Sequence, residues 1–387
     1  MSLPFRSCLL FLGLSVFVSG CTNGENEPDP RSAEPAGNGA SGSGVEDPGP
    51  GAFWVTVSGE DLAIRGYPFT AGSSKGNDPA FVDGWAVAFS HVIVTVGGLS
   101  LAESPEKNAG DPKDLGAEVA RHPGAFAVDL HLPGRVIDKG SGEPGAIPIA
   151  AFRSKADGSA FDTTSRYAFS YALQAASADA SQVNLDAEGK QLYEEAITRG
   201  WSTLVVGTAT YRGPAPEAGS AFAKLPPIVR FKLGLAASAR YVNCANPDFS
   251  PVGGEFPRGV QVLPNRSSQL QVTYHTDHMF WDALNVEGTP LHFDPVAASA
   301  NAAGDVTIDD LAQQDYLAFM LADGTALPAR SNVADYKPPP GQLSFRGGGE
   351  SFPKSSYADF FRYSAVAGGH LNADGECAIT VEEGRGP

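Results

Sequence analysis

The chain has 387 residues, with 44 Asp and Glu against 27 Lys and Arg, a formal net charge of −17, and 42% hydrophobic residues that include 22 Phe. That apolar content is ample for a folded core and excludes a disordered chain. So acidic a surface, with no Lys/Arg cluster to interrupt it, repels phosphate backbones and argues against nucleic-acid binding.

At the N-terminus Arg6 precedes an apolar run over residues 8–18, which ends in Val18-Ser19-Gly20-Cys21. The run is too short to cross a bilayer as a helix and reads as a processing signal. Val-Ser-Gly before a cysteine forms a lipobox, and on these residues the chain resembles bacterial lipoproteins. The resemblance implies that residues 1–20 are a signal peptide removed by cleavage, and that Cys21 is acylated. It implies a lipid-anchored protein of the cell envelope, in contact with the membrane through that anchor. Thr22 is not the aspartate that marks inner-membrane retention in some bacteria, which points to the outer membrane, facing the periplasm or the cell surface. Residues 21–50 are then the lipidated cysteine and a disordered tether. They are rich in Gly, Ser, Pro and Glu, with six acids against Arg31 alone.

From Phe53 onward strand-like runs separated by Gly and Pro predominate. Residues 53–57 and 62–65 are expected to pair as strands through Ser58-Gly59-Glu60-Asp61. The strongest run, residues 84–96, carries His91 and closes on Gly97-Gly98. Residues 125–132 alternate, with Phe126, Val128, Leu130 and Leu132 on one face. Further strands are expected at 147–152, 167–173, 204–211, 228–242 and 260–274. Helices are few: 186–199, a short one after a Thr307 cap, and one from near Asp277 through Leu284. Residues 336–352, with Pro338-Pro339-Pro340 and Gly347-Gly348-Gly349, read as a loop, a candidate boundary between two subdomains of the body 51–387. The fold expected is mainly β, an antiparallel sandwich or barrel-like body with a few short helices. Once Cys8 and Cys21 are assigned to the signal and the lipid site, Cys244 and Cys377 are left. In an exported chain they are expected to form one disulfide.

The candidate site is built on histidine. His275 and His278 stand together in Tyr274-His275-Thr276-Asp277-His278-Met279-Phe280-Trp281-Asp282. On a strand, residues three apart face opposite ways; on a helical turn they lie side by side. The strand run ends at Tyr274 and Thr276 or Asp277 can cap a turn, so both imidazoles are expected at a strand end. Imidazole suits zinc, copper, iron or nickel, copper or zinc being the ions expected here, and Met279 adds a soft ligand for cuprous copper. Two ligands rarely suffice. Completing ligands are sought at His91 on the longest strand, at His292, and at His370, which a disulfide through Cys377 would draw toward the body. Asp277 and Asp282 are expected to ligate or to hold an imidazole tautomer. His122 and His131 show no clustering and are read as packing. No Walker A loop or His-Glu-x-x-His motif is present. The reading is a metal-handling envelope protein that is not an enzyme, with room for an envelope protein partner. Two alternatives stand beside it. One is a surface structural or interaction module without metal. The other is a metal-dependent hydrolase with Asp277 or Asp282 as its base.

Overall fold

A computed structural model describes residues 45–69, 81–284, 289–333, 336–346 and 356–381. The signal, Cys21, most of the tether and the glycines at 347–349 lie outside the described residues. In chain order the body holds β1 (Phe53–Ser58), α1 (Glu60–Arg65), β2 (Trp85–Ala102), β3 (Glu118–Arg121), β4 (Phe126–Asp129), β5 (Val136–Ile137) and β6 (Pro144–Phe152). Next come β7 (Ala168–Leu173), β8 (Ser181–Val183), α2 (Ala187–Arg199), β9 (Thr203–Tyr211), β10 (Ile228–Leu235), β11 (Ala239–Val242) and β12 (Ser268–Tyr274). The last third adds α3 (Asp294–Ala298), β13 (Asp305–Thr307), α4 (Ile308–Leu311), α5 (Tyr357–Ala367), β14 (Gly369–Leu371) and β15 (Ala378–Val381).

The fold is mainly β, as expected, and two sheets carry it. One has five strands in the order β14-β12-β1-β6-β5. The other has ten, along the path β13-β10-β9-β2-β7-β11-β15 with β3, β4 and β8 attached beside it. Most neighbours are antiparallel, but β1 with β12, β4 with β8 and β10 with β13 run parallel. Alternation sets the core: Phe53, Val55 and Val57 of β1 and Leu270, Val272 and Tyr274 of β12 share one apolar cluster with Phe169, Tyr171, Phe231 and Leu233 of the larger sheet. The cysteines are joined as Cys244–Cys377.

Several local expectations shift. Residues 62–65 are not a strand but part of α1. Ser58 Oγ accepts the Glu60 N–H at 2.9 Å, Glu60 and Asp61 put acids in the first turn, and Gly66 ends the helix at φ 73. The run 228–242 splits into β10 and β11. Of 260–274 only the end is strand, because Pro264 and Asn265 turn the chain and Leu263 N–H is taken by Ser268 Oγ. The α2 helix starts where expected, on an Asp186 cap that accepts from Gly189 N–H at 2.7 Å. Thr307 and Asp310 form the capping box of α4. Helix α5, with its Ser356 cap, was not anticipated.

One charged cluster lies inside the apolar body. Arg330 grips Asp294 through two hydrogen bonds of 2.6 and 2.7 Å, and Trp85 Nε1 donates to the same carboxylate at 2.9 Å. Asp83 accepts the Phe293 and Asp294 N–H groups, each at 2.7 Å, where α3 begins. Burial, then the charge of Asp294, pushes the Asp83 carboxyl up to about 7.

Candidate metal centre

β12 ends at Tyr274, and a 3-10 turn over Asp277–Phe280 follows within three residues. The expected helix to Leu284 is therefore only this short turn. Thr276 does not cap it with its side chain; its hydroxyl pairs with that of Tyr67 at 2.7 Å. The handover still places His275 just past the strand and His278 on the turn, on one side of the chain.

The third imidazole arrives by strand pairing. α5 ends and β14 pairs antiparallel with β12, setting Thr273 opposite His370 and Tyr274 opposite Gly369. His275 N–H extends the ladder to the Gly368 carbonyl at 2.8 Å. Gly368 and Gly369 permit this approach. A Cβ on Gly368 would lie 2.6 Å from the His275 carbonyl oxygen, and one on Gly369 would lie 2.5 Å from the Tyr241 ring. The hairpin beyond β14 is pinned as well. Asn372 Oδ1 accepts from Gln271 N–H at 2.9 Å, Asn372 Nδ2 donates to Asn246 at 2.8 Å, and Ala373 N–H reaches Thr273 Oγ1 at 3.0 Å.

His275, His278 and His370 each present a ring nitrogen within 4.8 Å of the others, and they are the one such group of three among the described residues. The His275 and His370 rings stack with centroids 4.6 Å apart, and His278 meets both edge-on at 5.4 Å. His278 also lies flat on Trp281, 3.7 Å between centroids. Four buried nitrogens here have no hydrogen-bond partner: His275 Nε2, His278 Nδ1 and both nitrogens of His370. Buried polar atoms are rarely left so. A cavity of about 300 Å³ opens over the three rings, walled in part by Trp281, Asp374 and Glu376.

The electrostatics hold two of the rings neutral, the form that ligates. Burial, reinforced by His370 and His275, depresses His278 to about 2. Burial and His275 depress His370 to about 3. For His275 burial also works against the charged form, but Glu60, with Asp277 and Asp374, outweighs it and raises the basicity of that ring. Neutral imidazoles that converge with free nitrogens can hold a metal ion. Bonds of about 2.0–2.1 Å would draw the three nitrogens inward from their present spacing.

The remaining candidates lie elsewhere. Met279 is fully buried, and its sulfur faces the Tyr274 hydroxyl at 4.0 Å. His91 is bound by Asp129 at 2.7 Å, with its other nitrogen 3.9 Å from Glu188. His292 sits between Asp83 at 3.9 Å and Asp282 at 3.7 Å and packs on Phe345. Neither His91 nor His292 joins the triad. Asp277 stays close, accepting from Trp281 Nε1 at 3.3 Å, whereas Asp282 turns to His292 and Arg346. His131 bonds the Ala63 carbonyl and His122 tilts over Phe126. Glu60, read only as part of a turn, stands with Oε1 3.6 Å from His275 Nε2.

Known families, curated proteins and solved structures hold no match to this chain.

A pH dependence follows. His278 and His370 have folded-state values below the ordinary 6.5 of the unfolded chain. In the metal-free protein their contribution to stability is intact above pH 6.5 and is lost as pH falls below it, down to about 3. With both protons taken up only on unfolding, the slope approaches about 2.7 kcal/mol per pH unit. Urea unfolding of the metal-free protein between pH 7 and 4 measures it. Replacing both rings by alanine should flatten the slope, and an unchanged slope would place the responsible groups elsewhere.

Proposed function

We propose that this protein is a lipid-anchored component of the bacterial cell envelope that captures a transition metal, copper or zinc, at His275, His278 and His370. Its role is to hold the ion or pass it on, without catalysing a reaction. The observation that carries this reading is the convergence of three imidazoles, with His278 Nδ1 and both His370 nitrogens buried and without a hydrogen-bond partner. Imidazole is the ligand type that these metals favour. The anchor rests on the lipobox ending at Cys21. No helix among the described residues is long and apolar enough to cross a membrane.

Elemental analysis of the full chain, purified without a metal-affinity tag, tests the reading. About one equivalent of copper or zinc is expected, and it should be lost when His275 and His278 are both replaced by alanine with the fold intact. A protein that arrives empty and takes up neither added zinc nor added copper would instead be a structural or interaction module, with its histidines merely packed. Metal retained by the double variant would move the site away from the triad.

A further inference from the structure

Glu60 is an anomaly of backbone and side chain together. Its φ is 56, in the left-handed region where glycine, asparagine and aspartate are at home and glutamate is not. An acid in the first turn of a helix has an ordinary use, but Asp61 already supplies one there. Nothing in α1 calls for a longer acid on a strained backbone. Such strain persists where the surroundings enforce it, most often at functional sites.

The surroundings do enforce it. Ser58 Oγ fixes the Glu60 N–H at 2.9 Å. The loop at Gly140 wraps the carboxylate so closely that a Cβ there would lie 2.0 Å from Oε1. Held from both sides, the carboxylate is aimed at His275, with Oε1 3.6 Å from Nε2. The three histidine rings line the cavity and Glu60 does not, so it meets His275 away from that opening.

Accepting the triad as a metal site, we propose that Glu60 is the residue that positions His275 for the ion. Its carboxylate takes the N–H at Nε2 and leaves Nδ1 for the ion, so it fixes the tautomer and orientation and makes the imidazole a stronger donor. Ligating histidines almost always have such a partner, and losing it typically weakens metal binding 10–100-fold. The strained conformation is retained because only a side chain of this length, leaving the backbone in this direction, reaches the ring.

Two variants of the full chain test this, with zinc and cupric ions as probes in competition with a chromophoric chelator. Glu60→Gln keeps the shape and removes the charge; Glu60→Gly removes the side chain and relieves the backbone. Both should raise the Kd about 10–100-fold. The metal-free Glu60→Gly protein should nevertheless unfold at a temperature no lower than wild type, because glycine takes positive φ freely. A purely structural role predicts the opposite pairing, lower stability with the Kd unchanged. The ligand-field bands of the cobalt-loaded protein should also shift in Glu60→Gln, since the donor strength of His275 changes. Wild-type affinity in either variant overturns the proposal, as does a loss of affinity that merely tracks a fall in metal-free stability. A wild-type chain that binds neither ion overturns the metal site itself and this assignment with it, an outcome distinct from those two.

Discussion

Replacing Cys244 and Cys377 together by alanine should lower the free energy of unfolding by about 5 kcal/mol, the chain-entropy value for a loop of this size. The bond ties residues 133 apart, so it chiefly confines the unfolded chain. A second effect falls on the proposed metal centre. Cys377 closes the hairpin that carries His370 and lines the same cavity as the three rings. β14 is only three residues long and stands at the edge of the smaller sheet, paired to β12 alone. Without the disulfide, His370 should be less firmly placed and zinc or copper should bind more weakly, since ordering must then accompany binding. Urea unfolding and chelator competition measure the two effects separately. Reduced stability with unchanged affinity would mean that pairing to β12 is enough to place His370.

Arg330→Met should destabilise the protein by about 3–5 kcal/mol, the range for removing one partner of a buried ion pair. Asp294 is 1% exposed and Asp83 is wholly buried. Arg330 is the cation that grips Asp294, and its guanidinium also lies over the Tyr211 and Phe222 rings; methionine keeps only the apolar stem. The loss should depend on pH in a definite sense. Asp83 is an acid raised to about 7 in the fold, so its charged form is the unfavourable one there. Its contribution to stability therefore improves as pH falls from about 7 toward the unfolded value near 4. The variant should be worst at pH 8 and recover part of its stability by pH 5. Adding Asp294→Asn should restore some of the deficit at pH 8. A deficit independent of pH would show that the lost packing of Arg330 outweighs the stranded charge.

What could be read from the chain was local. The alternation of apolar residues gave the strands, and Asp186 and Thr307 announced their helices because a cap acts within three residues. The His275 and His278 pair was legible for the same reason: a strand run that stops at Tyr274 and a turn beginning at Asp277 put residues three apart side by side. His370 was reached only through the disulfide at Cys377, a covalent link that sequence can suggest. The others depended on partners brought from far away. His91 on β2 faces Asp129 on β4, and His292 faces Asp83, and no local pattern marks either carboxylate as a partner. Met279 follows His278 directly, so on a turn its side chain points to another side, and there the core took it. Residues 62–65 imitated a strand because Leu62 and Ile64 alternate over too short a span to reveal a helical period. Glu60 carried no signal at all, since a glutamate forced to positive φ looks like any other acid in a row of letters.

β12 lies between β1, with which it is parallel, and β14, with which it is antiparallel. Its bonded neighbours therefore come from early and late in the chain. The contact of Gln269 with Thr56 spans 213 residues, and that of Ala373 with Thr273 spans 100. Loops of that length close late, after local structure has formed. Until those contacts form, His275 and His278 stand without His370. The three rings meet when both distant segments have docked, so the triad belongs to the finished fold. Under the export proposed above, the triad is assembled only where the chain folds.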